Sequence, residues 1–226
     1  MTGASNRSKN TVWSIMVVDD HPLLRHGLKQ LLEESENLRV KDEATSISQA
    51  LQLFNLNEYD LVITDLSLSG GNGLDLLKRL RARNPKTRIL VCSMHDETMF
   101  AHRAISAGAM GYISKDEATL NIVEAVNCVL QGKVWVSDKM SGTLLNKDQN
   151  NLFKEDPKDG VGHLTNREFE IFELIGNGTR TSQIAVLLHL SVKTVETHRE
   201  NIKKKLNLKS GNDLIRRAMH WIMNKE

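Results

Sequence analysis

Cysteine is almost absent from this chain, which carries two in 226 residues. Cys92 and Cys128 lie in apolar, patterned contexts with no C-x-x-C spacing, which argues against a disulfide framework and a cysteine-ligated metal. Both read as small, reduced core residues. Apolar runs of membrane-spanning length are missing too, and the polar start MTGASNRSKN has no apolar stretch of the kind a secretory signal requires. Internal repeats and low-complexity tracts are not found. These absences leave a cytoplasmic protein with no membrane partner, long enough for one large domain or two modest ones around a sizeable core.

Charge is balanced overall and uneven locally. The net charge is +2; residues 1–150 hold 17 basic against 18 acidic residues, and residues 151–226 hold 13 against 10. Between Lys193 and Lys209 six basic residues face two acidic ones. Such a segment in a near-neutral chain suggests phosphate contact, or a solvated helix face.

From Ile15 to about Gln131 short apolar runs alternate with amphipathic ones. The expected strands are Ile15–Val18, Val40–Ala44, Leu61–Thr64, Ile89–Cys92 and Gly111–Ile113. Between them, helices are expected near Pro22–Glu34, Ser46–Phe54, Gly73–Ala82, Glu97–Ala107 and Ala118–Leu130. This alternation predicts an α/β fold, a doubly wound five-stranded parallel sheet with helices on both faces and a site where strand order reverses. The pattern lapses over 136–162, a polar stretch read as a linker, and residues 1–13 read as a flexible extension. From 163 to 226 the pattern is wholly helical, a small all-α domain. Thr165 and Glu168 form a capping box, Gly176 and Gly178 are stop signals, and a short helix and tight turn lead to a longer helix capped by Ser191.

In IMVVDDHPLL, Asp19 and Asp20 follow a short apolar run, and paired acids at a strand end are either solvated turn residues or neutralised by a cation. The rest of the pattern favours the cation. Asp65 also closes an apolar run, Ser93 closes RILVCS, and Lys115 follows GYIS, so all five residues fall at one edge of one sheet. Three carboxylates, a hydroxyl and an ammonium suit phosphoryl transfer to an aspartate, where catalysis is mostly charge neutralisation and positioning. Asp65 is the expected acceptor; Asp19, Asp20, Asp65 and the Ser67 backbone carbonyl are the expected Mg2+ ligands. Lys115 and Ser93 would contact phosphoryl oxygens.

VVDDHPLLRHGL, ITDLSLSGGNG, VCSM and GYISKD, in this order and spacing, resemble the receiver domain of bacterial two-component response regulators over roughly residues 14–131, within a phosphoacceptor domain expected at 14–135. The resemblance implies phosphorylation by a sensor histidine kinase, with small acyl phosphates as a substitute donor. It puts His21 outside the metal shell in a local structural role, and it likens Tyr112 to the residue that swings inward on phosphorylation, against a plain core reading. Leu68-Ser69 stands where many receivers carry Met-Pro, and Asp116 where many carry Pro, so the Lys115–Asp116 peptide is expected to be trans.

LTNREFEIFELIGNG and SQIAVLLHLSVKTVETHRENIKKKL resemble the LuxR-type helix-turn-helix, which joined to a receiver defines the NarL/FixJ class. Val195, His198, Ile202 and Leu206 recur at three and four residues as the buried stripe of the long helix. Its outer face carries Lys193, Thr197, Glu200 and Lys204, flanked by Thr194, Glu196 and Asn201, and is the face a major groove would receive. Arg199, Lys203, Lys205 and Lys209 are placed for phosphates. Relatives often carry Asn-Lys where this chain has Thr181-Ser182, and basic residues at Glu196 and Glu200, so their operators do not carry over.

The resemblance implies a phosphorylation-dependent transcription regulator that binds double-stranded promoter DNA as a homodimer, with RNA polymerase as a further partner and no enzymatic turnover. Two rivals are a DNA-binding protein with a phosphorylation-independent receiver and an aspartyl-phosphate phosphatase. Ser67 stands where such a phosphatase carries its second acid.

Overall fold

In a computed structural model of the chain, residues 12–68, 73–95, 97–137, 140, 160–161, 164–188 and 190–223 are described. The expected extension, except for Val12 and Trp13, and most of the expected linker lie outside these residues, as does the glycine-rich loop at 69–72. The chain divides into two compact units, Met1–Asn146 and Lys147–Glu226.

The first unit runs β1 (Trp13–Val18), α1 (Pro22–Glu33), β2 (Leu38–Ala44), α2 (Ile47–Leu56), β3 (Leu61–Thr64), α3 (Gly73–Arg83), β4 (Arg88–Ser93), α4 (Glu97–Ser106), β5 (Gly111–Ser114) and α5 (Lys115–Leu130). The strands pair in parallel in the order β2-β1-β3-β4-β5. Order reverses between β1 and β3, so their carboxyl ends flank the crevice where a doubly wound sheet places its ligands. All four residues of β3 are buried, and so are Ile15 to Val18 of β1. Burial on both faces explains why these strands read as continuous apolar runs instead of alternating. Ile15, Val17, Leu61, Ile63, Leu90, Cys92 and Ile113 form one core with Leu28 and Leu32 of α1 and Ile122, Val126 and Val129 of α5. Burial pushes the Cys92 thiol up to about 12, which makes it the inert core residue its context suggests.

One helix departs from expectation in a way that matters. α5 begins at Lys115, three residues before the expected Ala118, because the Ser114 side chain caps it by accepting from the Glu117 N–H at 3.2 Å. Asp116 and Glu117 then sit in the first turn, where the helix dipole favours acids. Lys115 therefore leaves from a rigid helix start, and its peptide to Asp116 is trans.

The second unit is helical: α6 (Asn166–Gly176), α7 (Thr181–Leu187), α8 (Val192–Lys205) and α9 (Gly211–Met223). The capping box is formed, with Thr165 N–H donating to Glu168 Oε2 at 2.7 Å and Glu168 N–H to Thr165 Oγ1 at 3.3 Å. Phe169 and Phe172 of α6 pack edge-on against Trp221 of α9, at 5.1 and 6.1 Å between ring centres. Gly176 ends α6 and also lets α9 approach, since a Cβ there would lie 2.7 Å from the Ala218 carbonyl. Gly178, at φ 78°, turns the chain beyond it.

Candidate phosphoacceptor site and nucleic-acid interface

Each strand along the crevice delivers one polar group as its apolar run stops. Asp19 follows β1, Asp65 follows β3, Ser93 ends β4, and Lys115 follows β5; all four are buried. Lys115 Nζ lies 2.7 Å from Asp19 Oδ2 and 2.7 Å from Asp65 Oδ2. Burial pushes the Lys115 ammonium toward neutrality, but the Asp65 charge and hydrogen bonds to both aspartates outweigh it and hold its pKa above the ordinary value. The second Asp65 oxygen, Oδ1, accepts from the Leu66 N–H at 2.6 Å.

Carboxylate oxygens of Asp19, Asp20 and Asp65 and a ring nitrogen of His21 all lie within 4.8 Å of one another. Asp20 Oδ1 is buried and has no hydrogen-bond partner among the described residues. His21 Nδ1 is 3.0 Å from it, an ion-pair distance only. A buried carboxylate oxygen left without a donor, beside two more carboxylates, is what a hard cation with oxygen ligands fits. His21 sits at the N-cap of α1 and is tied to Asp19, its N–H donating to Oδ1 at 2.8 Å and its Nδ1 lying 3.0 Å from the same oxygen.

Ser67, whose carbonyl is an expected ligand, lies in the loop after Asp65 with its hydroxyl 2.7 Å from His95 Nε2. His95 is a buried residue that the sequence reading passed over. Its ring stacks on Phe100 at 4.4 Å, its N–H donates to Ser93 Oγ at 3.4 Å, and its carbonyl accepts from the Tyr112 hydroxyl at 2.8 Å. It thus joins the loops after β3 and β4 to β5, with Tyr112 fully buried and turned inward. The signal was available, since a histidine two residues past an apolar strand falls on the same sheet edge. Arg25 was also passed over; its Nη1 donates to the Asp19 carbonyl at 2.7 Å.

In the second unit, α8 buries Val195 and Ile202 fully and half-buries His198 and Leu206, the expected stripe. Lys193, Glu196, Thr197, Glu200 and Lys204 are exposed, with Lys209 exposed beyond the helix end; Thr194, Arg199, Asn201 and Lys203 are half-buried on its flanks. The Thr197 hydroxyl donates to the Lys193 carbonyl, and Thr194 is tied to the cap residue Ser191. Glu196 lies 3.5 Å from Arg199, and Glu200 pairs with Lys203 at 2.8 Å, not with Lys204 as its spacing suggests. Lys205, expected at phosphates, has its Nζ 2.6 Å from Glu168 Oε2 in the capping box. Burial pushes the Glu168 carboxyl up, but Lys205 and the Thr165 N–H hold its pKa below the ordinary value.

Comparison with known proteins bears on both units. Residues 15–127 match the family model of the response regulator receiver domain, and residues 162–218 that of bacterial regulatory proteins of the luxR family. A Haemophilus influenzae protein described as a nitrate/nitrite response regulator protein homolog is 35% identical over 196 residues, 87% of this chain and 91% of its own. The nitrate/nitrite response regulator protein NarP of Escherichia coli is 33% identical over 200 residues, 88% of this chain and 91% of its own. Among solved structures, a LuxR-family two-component response regulator from an Aurantimonas species matches with a TM-score of 0.56 at 32% identity, covering 60% of this chain and 96% of its own. RcsB from Salmonella enterica serovar Typhimurium, bound to promoter rprA, matches with a TM-score of 0.58 over 92% of this chain and 99% of its own; at 22% identity this is a likeness of fold.

Proposed function

Since the chain belongs to the response regulators that join a receiver to a LuxR-type DNA-binding domain, we propose that it is a transcription regulator switched by phosphorylation of Asp65. One observation carries this reading. The Lys115 ammonium bridges Asp65 and Asp19 at 2.7 Å each, beside an Asp20 oxygen that has no hydrogen-bond donor among the described residues.

The chemistry follows from the groups present. Asp19, Asp20, Asp65 and the Ser67 carbonyl would hold Mg2+, which when bound supplies positive charge for the phosphoryl oxygens. An Asp65 oxygen attacks phosphorus, the P–N bond of a kinase phosphohistidine breaks, and an acyl phosphate remains while the imidazole leaves. Lys115 moves from the Asp65 carboxylate to a phosphoryl oxygen, and the Ser93 hydroxyl donates to another. Tyr112 and His95 connect Ser93 to β5, so the new charge biases the region of α4, β5 and α5. In this reading the donor is a sensor histidine kinase inside the cell, and the α8 face then binds promoter DNA as a homodimer. Phosphotransfer from candidate kinases, followed by genome-wide binding, tests the assignment; sustained turnover on phosphate esters would favour a phosphatase instead.

A further inference from the structure

Behind the acidic pair sits an arginine that this chemistry does not use. Arg25 lies in the first half of α1 with its side chain only 13% exposed, and its Nη1 donates to the Asp19 carbonyl at 2.7 Å. That carbonyl belongs to the peptide joining Asp19 to Asp20, so the guanidinium holds the bond from which both carboxylates project. The arginine is held in turn from β2. Its Nε is 3.5 Å from Glu43 Oε2, and Glu43 Oε1 accepts from Lys29 Nζ at 3.2 Å. Nε is buried and makes no hydrogen bond among the described residues, so Glu43 acts on it through charge.

A fixed cation beside a site for a divalent cation opposes binding by Coulomb repulsion. Arginine suits the position where its rigid, planar head fixes the carbonyl and a nearby acid offsets its charge. Here Nη1 holds the carbonyl, and Glu43, shared with Lys29, offsets part of the charge. We propose that Arg25 is a positioning residue for the cation site, clamping the Asp19–Asp20 peptide, and that Glu43 balances its charge from the neighbouring strand. This rests on the reading of the acidic cluster as a Mg2+ site. Neither residue touches the proposed ligand oxygens, so their effect is on how strongly those oxygens bind.

The test is calorimetric titration of Mg2+ into the full-length chain, with no phosphoryl donor, alongside thermal unfolding of the metal-free protein. R25K keeps the charge and loses the fork, so Mg2+ should bind about tenfold more weakly to the folded protein. E43Q keeps the shape and leaves the guanidinium uncompensated, so binding should weaken about threefold at low salt, with the gap closing as salt rises. A purely structural role would lower the unfolding temperature and leave the Mg2+ affinity of the folded protein unchanged. R25K binding as the wild type does overturns the clamp, and E43Q equal to wild type at low salt overturns the charge balance. A wild-type chain that binds no Mg2+ removes the cation reading, and this inference with it.

Discussion

Lys115 and Asp65 are joined by a 2.7 Å ion pair that spans β5 and β3, and the same ammonium holds Asp19 at 2.7 Å. One cation therefore ties together the ends of three strands, in surroundings where each partner is nearly inaccessible to water. Replacing it strands two buried carboxylates. Lys115→Met should destabilise the metal-free first unit by about 3–5 kcal/mol, the cost of breaking a buried pair. Added Mg2+ should recover more stability in this variant than in the wild type, because a cation then replaces the missing ammonium. Denaturant unfolding with and without Mg2+ measures both effects.

Asp65→Asn should abolish phosphorylation while leaving the fold intact, because the change is nearly isosteric and removes the nucleophile. Phosphotransfer assays with unfolding curves check this; labelling at the wild-type level in the variant would show that the acceptor lies elsewhere.

Asp20→Ala should lose Mg2+ affinity and labelling together, since it removes a carboxylate whose buried oxygen has no hydrogen-bond partner among the described residues. Metal titration and labelling on one preparation show whether the two losses coincide.

Much of this was legible from residue order. Asp19, Asp65, Ser93 and Lys115 were placed correctly because each breaks an apolar run, and in a parallel sheet every such break falls at the same edge. Arg25 and His95 were not, because their roles depend on which carbonyl or hydroxyl the fold brings near, Asp19 for one and Ser67 for the other. Helical periodicity gave the face of each α8 residue but not the reach of its side chain. It could not show that Lys205 crosses to Glu168 or that Glu200 prefers Lys203. Gly176 was read as a stop signal, and its packing against α9 is visible only once that helix is in place.

The ion pair of Lys205 with Glu168 bears on both stability and DNA binding. Lys205→Met should cost the second unit about 1–3 kcal/mol by leaving the Glu168 carboxylate unpaired, with little change in the salt dependence of DNA binding. Lys209→Ala should leave stability unchanged and reduce the salt slope by about one. Glu168 sets the pH window. Its pKa is lowered by folding, so its contribution is full above about pH 4.5 and is lost as pH falls through the lowered value. The stability gap between wild type and Glu168→Gln should therefore shrink on acidification below that point.

Glu196 is the better candidate of the two helix acids for reading a base, because its ion pair with Arg199 is long, at 3.5 Å, while Glu200 is held by Lys203 at 2.8 Å. Glu196→Gln should relax preference at one operator position by about 1–3 kcal/mol with little change in salt slope. Uniformly tighter binding across a randomised operator library would instead mark the glutamate as a solvated charge near the polyanion.

The central claim is that phosphorylation of Asp65 controls DNA binding, and the most direct measurement is the affinity of the full-length chain for its promoter before and after phosphorylation, at fixed salt, beside Asp65→Asn. The account predicts that phosphorylation tightens binding of the wild type and leaves Asp65→Asn at the unphosphorylated level. Equal affinity of the phosphorylated and unphosphorylated wild type would contradict it.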